Sequence, residues 1–262
     1  MRSHNSQPFH RAAALLIILL SLLLFLNSCT IPSISRLWRH DSGFKDENTL
    51  MREGVEAFNN RSYKKAIERF QAIKDQYPFS AYVLLAELKI ADAYYNREEY
   101  SEAVYAYEDF MKLHPRNEAV PYALFQVGMC YFKQMRTIDR DQDITRKAVA
   151  EFQRLIRTYP DSPFRIRAEN RLSICLQNMA KHEMYVGRFY FKQDQYKAAK
   201  ARFEGVIKNF PDLGQYNEAF SYIRKCEVQL AKLEQKQAKK REKEEKRKQK
   251  EAPEKKQEEK TT

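Results

Sequence analysis

The side chains with the most latent chemistry in this sequence are four cysteines and five histidines. The cysteines are Cys29, Cys130, Cys175 and Cys226, with no C-x-x-C pair and no histidine at metal-ligand spacing, so no zinc site is expected. Three of them sit inside apolar stretches such as Val127-Gly128-Met129-Cys130-Tyr131-Phe132, the setting of small buried core thiols. His114 directly precedes Pro115, and His182 adjoins Glu183 in a polar-faced stretch. Neither comes with a Ser or Cys nucleophile in a recognisable turn, and no glycine-rich phosphate loop is present. The expectation is a chain that is not an enzyme, with no catalytic residue, no metal and no cofactor other than the covalent lipid considered next.

Cys29 is set apart by what precedes it. Arg2, His4, His10 and Arg11 lead into the uninterrupted run AAALLIILLSLLLFL at residues 12–26. As a helix that run rises only about 22 Å, short for a hydrocarbon core of roughly 30 Å but right for a signal-peptide h-region. Leu26-Asn27-Ser28-Cys29 resembles the lipobox of bacterial lipoproteins, in which a small residue before the cysteine permits cleavage and the thiol receives a diacylglycerol. Residues 1–28 are then a removed leader and Cys29 the lipidation site. Several acyl chains on one residue make a durable tether where a single chain would not. Thr30, in the place where Asp retains lipoproteins in the inner membrane, points to the outer membrane, with residues 29–46 as lipidated cysteine and tether.

The location of the charge decides what the formal +12 means. Residues 232–262 hold 13 Lys/Arg against 8 Asp/Glu, so the low-complexity tail carries much of the excess and the rest of the chain is only mildly basic. Export argues against a nucleic-acid partner despite the pI near 9.4. Apolar content collapses after residue 232, so the tail is expected to be disordered or a lone charged helix.

Between tether and tail, residues 47–231 contain one pattern four times: an aromatic or polar residue, Ala three later, an aromatic seven later, Pro fifteen later. The instances are Tyr63/Ala66/Phe70/Pro78, Tyr100/Ala103/Tyr107/Pro115, Thr145/Ala148/Phe152/Pro160 and Tyr196/Ala199/Phe203/Pro211. Gly54, Ala91 and Gly187 stand twelve residues before their alanines, while Gly128 stands twenty before because of an insertion at residues 135–143. The pattern resembles the tetratricopeptide repeat, a pair of antiparallel helices A and B. Small residues let the helices approach, aromatics fill the remaining gap, and Pro stops each helix B. Ser162-Pro163 reads as an N-cap and first helical residue. Residues 164–192, without Pro and with one Gly, read as a single helix of roughly 25 to 28 residues, near 40 Å long. Residues 217–233 supply one more amphipathic helix with no convincing partner. The fold expected is all-α: a tetratricopeptide-type helical repeat solenoid of four helix pairs plus a C-terminal capping helix.

Within the repeats, Tyr77-Pro78-Phe79-Ser80, Ala93-Tyr94-Tyr95, residues 110–115 (FMKLHP), Asp139-Arg140-Asp141, residues 180–191 (AKHEMYVGRFYF) and Arg202-Phe203-Glu204-Gly205 resemble the BamD (YfiO, ComL) family of outer-membrane lipoproteins. That family belongs to the machinery that assembles β-barrel proteins into the outer membrane. The resemblance implies lipid anchoring at the periplasmic face and an N-terminal groove for targeting segments of unfolded outer-membrane proteins. It also implies C-terminal repeats that dock on POTRA domains of a BamA-like barrel subunit, and a place beside other assembly lipoproteins. Carried over, Tyr77, Phe79, Tyr82, Tyr94, Tyr95 and Arg97 are groove candidates, and Arg202 and Glu204 docking candidates. A different reading keeps the repeats but makes the clients peptidoglycan or cell-envelope enzymes. The tail is no part of the resemblance.

Overall fold

The computed structural model describes the backbone of residues 45–258 and the side chains of residues 45–248. The chain divides into a segment of residues 1–46 and a body of residues 47–262. Of the first, only Lys45 and Asp46 are described, and neither is helical. The leader, Cys29 and nearly all of the tether lie outside the described residues.

All regular structure described in the body is α-helix: α1 (Glu47–Asn59), α2 (Tyr63–Gln76), α3 (Val83–Asn96), α4 (Tyr100–Leu113), α5 (Val120–Lys133), α6 (Asp143–Thr158), α7 (Arg165–Lys192), α8 (Tyr196–Asn209) and α9 (Tyr216–Glu258). Each packs on the helix before and the helix after it. The pairs α1/α2, α3/α4, α5/α6 and α7/α8 are the four expected repeats, so the fold is a tetratricopeptide-type solenoid. Every helix B ends two residues before its proline, at Gln76, Leu113, Thr158 and Asn209, because a proline has no N–H to continue the ladder. Three of the A-to-B turns are alike, each with a left-handed residue at its centre: Arg61, Glu98 and Asp194. The third pair has the insertion there instead.

The repeated spacing is a close-packing rule. A Cβ added to Gly54 would stand 2.6 Å from the Phe70 ring, at Gly128 2.6 Å from Phe152 and at Gly187 2.7 Å from Phe203. Ala66, Ala103, Ala148 and Ala199 are wholly buried alongside these rings. A second spacing escaped the sequence reading. Ala86/Ala93, Ala123/Cys130, Ala168/Cys175 and Ala219/Cys226, each pair seven apart, are all wholly buried. Ala123/Cys130, Ala168/Cys175 and Ala219/Cys226 each fall in one core cluster with the preceding helix B, and Ala86 does so with α2. The three described cysteines are therefore core thiols on the back of an A helix, and all are free.

This also explains why α7 has 28 residues where α5 has 14. In α5 one stretch does two jobs: Ala123 and Cys130 face the previous pair, and Gly128 faces its own helix B. In α7 the jobs are separated along the axis, Ala168 and Cys175 facing α6 while Met184 and Gly187 face α8. The turns between hold the insertion. Asn178 donates to the Gln142 side-chain oxygen at 2.7 Å, and His182 Nδ1 lies 2.6 Å from the Ile138 carbonyl.

Two local expectations need correction. Ser162 does not cap α7, which begins at Arg165 after Phe164. Its hydroxyl instead accepts from the Phe164 N–H at 3.2 Å, forming a turn one step earlier. The capping helix does not end near residue 233 either, since α9 continues unbroken to Glu258. Beyond Leu230 every described side chain is exposed. The extension is the lone charged helix of the two options, supported by i,i+4 pairs such as Glu242 with Lys246 and Glu244 with Lys248. Such pairs add about 0.3–0.5 kcal/mol each.

Burial has a consequence for pH. It pushes the thiols of Cys130 and Cys175 up from the usual 9.0 to about 12, and the Tyr95 phenol from 10.0 to about 12. The folded chain keeps protons that the unfolded chain releases, so the stability these three groups contribute is fully present below pH 9 and is lost as pH rises from there toward 12. Cys175→Ala removes one of these groups. Urea midpoints taken at pH 8 and pH 10 should fall less between the two values in Cys175→Ala than in the parent, and an equal fall would contradict the assignment.

Candidate functional site

The six groove candidates lie at the two ends of α3, whose 14 residues span about 20 Å. Tyr77, Phe79 and Tyr82 belong to the turn before it, Tyr94 and Tyr95 to its last turn, and Arg97 is its C-cap. Phe79 is 100% exposed. The Tyr82 hydroxyl donates to Asn48 of α1 at 2.8 Å. Tyr95 packs among the second and third core clusters, edge-on to Tyr100 with ring centres 5.7 Å apart. Arg97 is engaged with Glu99 at 2.7 Å. The structure does not bring the six to one patch: Tyr77, Tyr82 and Tyr94 pack against the core cluster of the first repeat, and Tyr94 also lines a cleft.

That cleft, about 430 Å³, opens between α2, α3 and α4. Ile90 and Phe110 form its apolar floor, and Tyr94 and Tyr105 stand in it, the latter 72% exposed. Four charged side chains line it: Lys74, Glu87, Glu102 and Asp109. Glu87, on the buried face of α3, reaches Lys74 at 3.4 Å and His114 at 2.7 Å. A buried carboxylate held this way is a rigid part of the wall. Glu102 and Asp109, seven residues apart on α4, flank Tyr105 and give the lining an excess of negative charge. Sequence reading missed Tyr105, although its place two residues before the wholly buried Tyr107 puts it on the opposite side of α4.

A buried polar centre joins α3, α4 and α5. Asp92 on α3 accepts from the Tyr107 hydroxyl at 2.7 Å and the Tyr122 hydroxyl at 2.5 Å, and Lys89 is 3.0 Å away. Burial first, then the Asp92 carboxylate, pushes both phenols well above their usual range. The second repeat carries Tyr where the others carry Phe because this hydroxyl has a partner, and Tyr122 extends the link into α5.

The docking candidates face different neighbours. Arg202 pairs with Glu183 of α7 at 3.0 Å, and that carboxylate raises its pKa further. Glu204 lies 3.6 Å from Lys200, which itself holds Glu227 of α9 at 2.8 Å. Two residues on a helix are roughly 200° apart, so Arg202 and Glu204 are not parts of one surface. Tyr185 and Phe189, one turn apart on α7, are exposed, as is Phe220 on α9, and at 100° per residue both α7 rings are turned away from Glu183, the partner of Arg202. No group of three His, Cys, Asp or Glu that could hold a metal occurs among the described residues.

With this geometry in view, comparison with known proteins is decisive on kinship. The family model YfiO, described as outer membrane lipoprotein, matches residues 44–244. The chain belongs to this family. The YfiO match takes in all four repeats and the root of the charged extension. Outer membrane protein assembly factor BamD of Caulobacter vibrioides is 28% identical over 170 residues, 65% of this chain and 56% of that protein. BamD of Rickettsia prowazekii is 32% identical over 162 residues, 62% of this chain and 64% of that protein. The chain thus spans less than two thirds of the length of these two relatives. Among solved structures, the TPR2AB domain of yeast Sti1 in complex with pHSP90 superposes with TM-score 0.40 at 17% identity over 70% of each chain.

Proposed function

We propose that this YfiO-family chain is a non-enzymatic scaffold of the outer-membrane β-barrel assembly machinery. Its relatives are named as assembly factors for outer membrane proteins, and its body offers two separated binding regions and no catalytic constellation among the described residues. The cleft between α2 and α4 is the observation that carries the reading. A concave wall with an apolar floor and one protruding tyrosine suits an extended segment of an unfolded barrel protein, each ring or aliphatic chain of which gains burial there. The region around Arg202 serves the POTRA domains of a BamA-like subunit. A lipid on Cys29 holds the scaffold at the periplasmic face of the outer membrane.

Two substitutions test the division of labour. Tyr105→Ala should weaken binding of a barrel-protein segment about tenfold, as for an aromatic anchor, and leave co-purification with the barrel subunit unchanged. Arg202→Glu, which sets a carboxylate against Glu183, should do the reverse. Unchanged segment binding in Tyr105→Ala would remove the cleft from the proposal, and loss of both activities in both variants would indicate simple destabilisation.

The anchor has its own test. Cys29→Ala should abolish radiolabelled-lipid incorporation and release the chain from firm fractionation with the outer membrane. A variant that keeps its label would show that the thiol is not the attachment point.

A further inference from the structure

Each of α1, α3, α5 and α7 is followed by a helix B packed on it, whereas among the described residues no helix follows α9. That face of α9 instead forms an open cleft of about 400 Å³ with Phe191 of α7, lined by Ser221, Arg224, Lys225 and Val228. The position five residues after the first buried alanine is Ala91 in α3 and Gly128 in α5, small so that an aromatic can enter. Its counterpart in α9 is Arg224, exposed. Arg224 fills the place that a ring enters in the earlier pairs, and it offers an arriving helix hydrogen-bond donors for a carboxylate.

The same side of α9 stays basic beyond the solenoid. At 100° per residue, Lys236, Lys239, Lys240, Lys243, Lys246 and Arg247 fall within an arc of roughly 120°, in line with Lys225 and Val228. Glu234, Glu242, Glu244 and Glu245 all lie outside it. Lys236, Lys239, Lys240 and Lys243 make no ion pair among the described residues. Segregation of this kind is not what a solvated spacer needs, since spacing charges evenly would serve as well. Between residues 234 and 248 the helix carries no aromatic, Leu, Ile or Val to insert into lipid, so it lacks the apolar face of an interfacial helix.

We propose that this face of α9 receives an acidic amphipathic helix from a partner protein, which completes a fifth helix pair in trans. The partner helix would place a small aliphatic side chain against Phe191 and Val228, a carboxylate on Arg224, and further carboxylates at i, i+4 and i+7 along the lysine stripe. Charge complementarity of this length would act mainly on association rate and choice of partner, and be sensitive to salt.

The test uses the full chain in phosphatidylcholine nanodiscs and two synthetic helical peptides of identical composition. One has its glutamates on a single face with a terminal Ala/Leu pair, and the other has them scrambled around the helix. The patterned peptide should bind about tenfold more tightly than the scrambled one. Both Val228→Glu and the triple variant K236E/K240E/K243E should abolish that difference while keeping the parent's helix content by circular dichroism. Equal affinity for the two peptides, or full binding by Val228→Glu, would overturn the proposal. So would failure of both peptides to bind while phosphatidylglycerol in the nanodiscs shields the stripe lysines from amine-reactive labelling, an outcome that assigns the stripe to anionic lipid.

Discussion

Gly128→Leu is expected to unfold the third helix pair under conditions where the parent is fully folded. A Cβ at this position would stand 2.6 Å from Cε1 of Phe152, and the ring cannot retreat. Phe152 is wholly buried, with Phe125 and Phe132 at ring-centre distances of 6.0 and 6.5 Å. Overpacking costs roughly 1 to 3 kcal/mol even for smaller intrusions, a large part of the 5–15 kcal/mol typical of a folded domain. Thermal unfolding followed by circular dichroism should show a lower midpoint or a separate early transition. Gly128→Ala should already destabilise, and shortening the facing side chain in Gly128→Ala/Phe152→Leu should recover part of that loss, because the clash is between these two groups. Gly205 is the control: its added Cβ meets nothing nearer than Asn209 at 3.7 Å. Gly205→Ala should therefore gain roughly 0.5 to 1 kcal/mol from helix propensity. Equal losses at both positions would show that the glycines are not distinguished by helix contact.

This contrast shows what was legible in the sequence. Gly54, Gly128 and Gly187 recur with their partner rings because one packing solution is used again, and a repeated solution leaves a repeated spacing. The prolines closing α2, α4, α6 and α8 are legible for the same reason. The length of α7 could be read from the missing proline, but its cause could not. That required seeing that Ala168/Cys175 and Met184/Gly187 serve different neighbours, with the insertion lodged between through Asn178 and His182.

The candidate site was less legible, because side-chain direction and local pairing are not periodic. Arg97 is taken up by Glu99, two residues away. Tyr94 and Tyr95 are adjacent in sequence, yet the first reaches the cleft while the second, half-buried, packs between the core clusters of the second and third repeats. Arg202 and Glu204 share a short motif but face α7 and the Lys200–Glu227 pair respectively. Tyr105 was readable in principle, since a bulky residue on the outward side of a helix B has no packing role. The charge pattern of α9 was hidden by its composition: a net count gives the tail an excess of positive charge but no direction, whereas helical geometry gathers Lys236, Lys239, Lys240, Lys243, Lys246 and Arg247 on one side.

The second large effect is expected at Asp92. It is a buried carboxylate, 7% exposed, that accepts from two phenols on two helices. Asp92→Leu would fit the apolar surroundings but leave the hydroxyls of Tyr107 and Tyr122 without their acceptor, and Tyr107 has no route to solvent. An unsatisfied buried donor costs roughly 1 to 3 kcal/mol, and the losses share one centre, so they should not simply add. The expected result is destabilisation of about 3 kcal/mol for Asp92→Leu. Tyr107→Phe, which removes one donor and leaves the Tyr122 bond in place, should cost about 1 kcal/mol. The triple variant Asp92→Leu/Tyr107→Phe/Tyr122→Phe should be more stable than Asp92→Leu alone, since neither phenol is then left without its acceptor. Urea unfolding of the four proteins decides the matter: if adding the two phenylalanines lowers stability further, the phenols find other partners and Asp92 is not the hub joining the second and third repeats. Because α3 and α4 also form the cleft walls, Asp92→Leu should loosen segment binding along with stability, whereas Tyr105→Ala should affect binding alone.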